Sequence, residues 1–305
     1  ILMTPSVADE RGGNWTTTKN TAGLNDAIGK IADGFFKLAE DKGYGVIDTY
    51  SLTRTIHDKY MDSGVQEMIS TDRVHPIQSG YYVLGYNVIR NLFKDSGLVA
   101  QVDIDANTKT AKTENATVKG LDVTYGKILY TYLPKALPMP VTSAYHTADA
   151  KYVPLTDELN REIIKVSGLD DGTYTVKMDG KVLGEYTNVQ LENGVNIAIN
   201  ENNAGQLQAK VVYDILDKKH QNTLNMRHLD FVKDDFRINK VLDDAEKRAE
   251  YVAKLSSTTY VYDYYVNYDS YCQQLPLWQA ENVEYLENAR KAAIPAEHTV
   301  EIIKK

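Results

Sequence analysis

The apolar periodicity of the chain changes twice, and each change limits what the segment concerned can fold into. Up to residue 99 the apolar residues recur at helical spacing. Leu24, Ile28, Ile31, Phe35 and Leu38 make one stripe, and Leu84, Val88, Ile89, Leu92 and Phe93 make another. Gly43-Tyr44-Gly45 stops the first helix, and Val46-Ile47-Asp48 reads as a short strand. Ile1-Leu2-Met3, ahead of Thr4-Pro5, reads as the end of a buried strand. From residue 100 short β-branched runs take over. Tyr174 to Met178, Asp179-Gly180 and Lys181 to Tyr186 form a hairpin with a two-residue turn. Beyond residue 204 the helical period returns through Ala209, Val212, Ile215, Leu229 and Val232, and Pro276 marks a break before a last helix from Trp278 to Ala293. The expected class is α/β. Residues 1–99 would supply part of a doubly wound, flavodoxin-like layer, 100–203 a small antiparallel β module, and 204–305 a helical hairpin.

Composition narrows the function. A net charge of −8 without a Lys/Arg cluster argues against a nucleic-acid partner. No apolar run approaches the ~20 residues of a membrane span. Cys272 is the single cysteine, which excludes an internal disulfide or a multi-cysteine zinc site. The compartment stays open, with an extracytoplasmic or secreted setting favoured. No Gly-rich phosphate loop occurs, so no nucleotide cofactor is expected.

The chemistry concentrates in Thr71-Asp72-Arg73-Val74-His75-Pro76, which leads into Gly80 and an apolar run. A carboxylate three residues before an imidazole can reach Nδ1, fix the tautomer and leave Nε2 to act as a base. Asp217-Lys218-Lys219-His220 repeats the spacing in a polar helical context and reads as a solvated face. His57, His146, His228 and His298 are scattered and read as surface or interface histidines.

Asp-x-x-His-Pro followed by Gly and a helix resembles the last motif of the SGNH (GDSL-type) hydrolases. Thr4-Pro5, the helix from Leu24 and the strand ending at Asp48 resemble the elements before it. The resemblance implies a serine ester hydrolase in which His75 is the base and Asp72 orients it. The substrate would be an acyl ester, an acetylated carbohydrate among the candidates, and no cofactor is required. The family's Gly-Asp-Ser nucleophile motif and its oxyanion Gly and Asn motifs are not in this sequence. Asp62-Ser63-Gly64 and Asp95-Ser96-Gly97 read as turns. Gly23-Leu24-Asn25-Asp26 follows a polar loop and reads as a helix start. The nucleophile is therefore expected outside these 305 residues, with the apolar Ile1–Met3 edge paired to the same missing N-terminal polypeptide. Val153-Pro154-Leu155-Thr156, Asn160, Val166-Ser167-Gly168-Leu169 and Gly194-Val195-Asn196-Ile197-Ala198 resemble an accessory region behind some bacterial SGNH domains. The alternative is a non-catalytic, SGNH-derived surface protein that binds glycan or protein. The tyrosine-rich run from Tyr260 to Tyr271 would suit sugar stacking, but its i, i+4 spacing favours helix packing.

Overall fold

The computed structural model describes residues 1–10, 23–60, 68–70, 72–93 and 97–305. The first elements are β1 (Leu2–Met3), α1 (Leu24–Lys42), β2 (Val46–Ile47), α2 (Thr49–Tyr60) and α3 (Gln78–Leu92). Next come β3 (Leu98–Asp105), β4 (Thr110–Glu114), β5 (Ala116–Thr124), β6 (Lys127–Pro134), α4 (Ser143–Lys151) and α5 (Leu155–Leu159). β7 (Arg161–Ser167), β8 (Thr173–Met178), β9 (Lys181–Thr187), α6 (Asn188–Asn193) and β10 (Val195–Asn196) follow. The last are α7 (Ala204–Ile238), α8 (Ala245–Val252), α9 (Tyr262–Val266), α10 (Tyr268–Ala292) and β11 (His298–Lys304). The class is mixed α/β, in two units: residues 1–206 with 297–305, and residues 207–296. Among the described residues no helix is long and apolar enough to cross a membrane.

In the first unit β1 and β2 pair in parallel, Leu2 opposite Val46 and Met3 opposite Ile47, with α1 between them in the chain. Asp48 caps α2 by accepting from the Ser51 N–H at 3.0 Å, and Thr4 Oγ1 accepts from the N–H groups of Thr49 and Tyr50. The stripe expected on α1 has the right period and the wrong phase. Asn25, Ala32 and Ala39 are buried, whereas Ile31 and Leu38 are exposed. Small side chains explain the rotation, because they let the helix backbone approach its neighbours. On α3 the buried residues are Ser79, Gly80, Val83 and Asn87, and Leu92 and Phe93 face solvent.

Residues 98–200, together with 298–304, build two sheets, of order β10-β7-β3-β4 and β5-β6-β11-β8-β9. One core, including Val102, Ile104 and Val166 from the first and Tyr130, Val176 and Ile302 from the second, holds them face to face. The expected antiparallel module is corrected in one respect: β3 and β7 pair in parallel, Val102 opposite Ile164. A parallel pair needs a long crossover, and everything from β4 to α5 supplies it. Of that crossover, α4 and α5 pack with α2 and α3 through Ile56, Val83, Tyr145, Ala148 and Leu155. A second correction concerns residues after Pro295, which were grouped with the helices. They form β11, a central strand between β6 and β8. The alternation in His298-Thr299-Val300-Glu301-Ile302 buries one face and exposes the other.

In the second unit the rest of α7 runs antiparallel to α10. Gln208 donates to the carbonyls of Ala292 and Ile294, and Asn222 to Glu281. α10 continues through Pro276, where a break was expected. The residue is exposed, so the ring and the lost N–H bond fall on the solvent side. The tyrosine-rich run is used for packing. Tyr251, Tyr265 and Tyr268 meet the buried Phe236 edge-on at centroid distances of 6.0, 5.5 and 5.1 Å. Tyr251 and Tyr265 both donate to Asp235 Oδ2 at 2.9 Å. Removing one of these charge-assisted bonds with Tyr265→Phe is expected to cost about 1.5 kcal/mol, read by urea denaturation of the whole chain.

Candidate functional site

The loop from Met68 to Ile77 is closed by its own backbone. Ile77 N–H donates to the Met68 carbonyl at 3.0 Å, Ser70 N–H to that of His75 at 2.8 Å, and Arg73 N–H to that of Ser70 at 2.9 Å. Ile69 and Pro76 form an antiparallel bridge. Arg73 takes φ 69, the left-handed turn that brings Asp72 and His75 to the same side. Gly80, in the first turn of α3, lies against the Met68 carbonyl, which leaves no room for a side chain there.

The structure brings Asp72 and His75 together. Asp72 Oδ2 lies 2.5 Å from Nδ1 of His75. Oδ1 accepts from Ser70 Oγ at 2.6 Å and from the N–H groups of Val74 and His75, each at 2.9 Å. The hydroxyl of Ser70, then the His75 and Val74 amides, hold the Asp72 carboxyl far below the usual carboxylate range, against a smaller opposing effect of burial. The carboxylate therefore stays ionised and the proton on His75 sits at Nδ1. The His75 side chain is 74% exposed, and among the described residues nothing hydrogen-bonds to its Nε2. That combination can accept a proton at Nε2 and stabilise the resulting imidazolium.

Ser70 was not singled out in the sequence, although Ser-x-Asp in a turn is a pattern that could have revealed it. Ser70→Ala is expected to raise the Asp72 pKa toward the usual range, measured by carboxyl-carbon NMR titration. Since the folded pKa lies below the unfolded one, ionised Asp72 stabilises the fold above about pH 4 and loses that contribution as the pH falls. The variant should lose it at higher pH than wild type.

Asp9 bonds the loop directly, and its two neighbours are fixed by α1 and α2. Ala8 is held both ways by the Asn25 amide, its N–H donating at 2.8 Å and its carbonyl accepting at 2.9 Å. Asp9 N–H donates to the Arg73 carbonyl at 2.8 Å, and Glu10 N–H to Nε2 of His57 at 3.5 Å. Asn25 does lie in the first turn of α1 as expected, but its side chain pins Ala8. His57, read from the sequence as a surface or interface histidine, is only 1% exposed inside its own unit, with Nδ1 3.1 Å from Asp58. His298 is likewise buried, on Asp179 at 2.8 Å. Asp217 and His220 lie exposed on α7. The turns at Asp62-Ser63-Gly64 and Asp95-Ser96, and most of the polar loop after Pro5, fall outside the described residues. Among the described residues no group of three or more His, Cys, Asp or Glu is placed to hold a metal ion.

No protein-family model and no curated relative matches the sequence. Among solved structures the chain is similar to BT4096, a gut microbial diltiazem-metabolizing enzyme, with a TM-score of 0.86 at 20% identity. The match covers 100% of this chain and 72% of that one, so the whole length described above shares its fold with that enzyme.

Proposed function

We propose that the chain carries the acid–base half of a serine ester hydrolase of the SGNH type, its nucleophile supplied by polypeptide outside these 305 residues. The observation that carries this reading is the Asp72–His75 pair, closed at 2.5 Å on Nδ1 with Nε2 left unengaged among the described residues. Nε2 takes the proton of the serine hydroxyl as its oxygen attacks the acyl carbon. The imidazolium, steadied by Asp72, then hands that proton to the leaving alcohol. Water repeats the cycle on the acyl-enzyme and releases the acid. The fold shared with a diltiazem-metabolizing enzyme supports an enzymatic role. Acyl esters, acetylated carbohydrate among them, are the substrate class.

In this reading β1, β2 and their helices are one part of a doubly wound layer. β1 pairs only with β2 among the described residues, and Ile1 and Met3 are exposed, which suits a further strand on its free edge. The test is to treat the full-length protein with a fluorophosphonate and locate the label by mass spectrometry. A labelled serine outside residues 1–305, with labelling abolished by His75→Ala, is expected. A labelled serine within them overturns the placement of the nucleophile. No label and no hydrolysis of p-nitrophenyl acetate overturns the enzyme and leaves the glycan- or protein-binding alternative.

A further inference from the structure

Three turns meet at one end of the two-sheet body and border an open cleft of about 300 Å³, at the lower limit of small-ligand sites. They are the β3–β4 turn with Lys109, the β5–β6 turn with Tyr125 and Gly126, and the β7–β8 loop with Gly168 and Asp170. All three are fastened. Asp105 Oδ1 accepts from the N–H groups of Asn107 and Thr108, the Gly126 carbonyl accepts from Lys304 N–H at 2.7 Å, and the Asp170 carbonyl accepts from the buried Tyr174 hydroxyl at 2.9 Å. Such turns hold their side chains without a partner, so little order has to be gained on binding.

The cleft presents an aromatic ring and charges of both signs. Tyr125 lines it while 91% exposed, more than any other large hydrophobic side chain among the described residues. Asp170 is only loosely matched by Lys304, at 3.7 Å, and Lys127 is matched by Glu301 at 3.1 Å. Lys109, held at φ 53, has no ion pair among the described residues. A strongly anionic ligand would meet Asp170, and a cationic one Lys109. A neutral ring with an apolar C–H face and a rim of hydroxyls meets neither objection. Its face stacks on Tyr125, while its hydroxyls donate to Asp170 and accept from Lys109.

We propose that this cleft is a binding site for a neutral pyranose unit of a glycan, separate from the Asp72–His75 loop. Its occupancy does not depend on ester hydrolysis. The experiment is saturation-transfer NMR and calorimetry on the full chain with methyl β-D-glucopyranoside, methyl β-D-galactopyranoside and methyl α-D-mannopyranoside. At least one is expected to bind saturably, with Kd on the order of millimolar. Tyr125→Ala should weaken it about tenfold or more, Asp170→Asn should weaken it as well, and His75→Ala should leave it unchanged. Tyr125 is so exposed that its truncation leaves the core intact, which a circular dichroism melt verifies. If none of the three glycosides binds, the site is wrong. If one binds equally well to Tyr125→Ala, or fails only with His75→Ala, the sugar sits elsewhere and the assignment is overturned.

Discussion

Under the proposed function, His75→Ala in the full-length protein is expected to lower kcat for p-nitrophenyl acetate by about 10³-fold or more, with KM little changed. The magnitude is that of removing a general base from a hydroxyl nucleophile, since neutral serine at pH 7 attacks an ester only as its proton leaves. The KM expectation follows from the exposure of the imidazole: with 74% of it open, little ground-state binding energy is at stake. Asp72→Asn should lose somewhat less. It keeps the loop's hydrogen-bond acceptor for Ser70 Oγ and the two amides, but removes the charge that faces Nδ1. Activity of His75→Ala within a few-fold of wild type would end the proposed role.

Gly80→Ala should be the most disruptive single methyl in this region, while Gly85→Ala, on the same helix, should be harmless. A Cβ at residue 80 would overlap the Met68 carbonyl oxygen and press on Pro76 at 3.0 Å, and neither is the free end of a side chain. The only relief is to move α3 away from the loop that carries Asp72 and His75. The cost is about 3 kcal/mol, near the upper end for overpacking, and Tm should fall by about 8 °C. At Gly85 nothing lies within 4 Å of the added carbon, so alanine should stabilise by a few tenths of a kcal/mol through helix propensity. Thermal melts of the two variants side by side check both signs. Under the proposed function hydrolysis should fall in Gly80→Ala alone, because the added methyl presses on the base of the Asp72–His75 loop.

What could be read in the sequence, and what could not, divides on physical grounds. Turn chemistry and periodicity are local, so the Asp179-Gly180 hairpin and the existence of α1 and α3 were legible. The phase of a buried face is decided by the neighbour, and small residues such as Ala32 and Gly80 pack closest while carrying the weakest hydrophobic signal. α2 escaped because its inner face is Thr49, Thr53, Ile56 and His57, whose polar groups are satisfied only in three dimensions. Thr53 Oγ1, for example, takes the N–H of Val7 from 46 residues away. The parallel pairing of β3 with β7 and the place of β11 depend on contacts between segments far apart in the chain, which no window sees. At the site, the spacing of Asp72 and His75 was visible. The bond from Asp9 to the Arg73 carbonyl was not, because it joins segments that the sequence separates, whereas Ser70, two residues from Asp72, lay within reach of turn chemistry.

The position of β11 gives synthesis on the ribosome a particular order. As the chain emerges, β6 and β8 are complete early, yet they cannot join, because the strand that lies between them follows all ninety residues of the helical unit. Until residues 298–304 leave the exit tunnel, two inward edges stay unpaired and the faces carrying Tyr130 and Val176 lack the strand that completes their layer. Closing the body thus has to wait for residues 298–304, and a nascent chain stalled just before Ile294 should be a species in marked need of a chaperone.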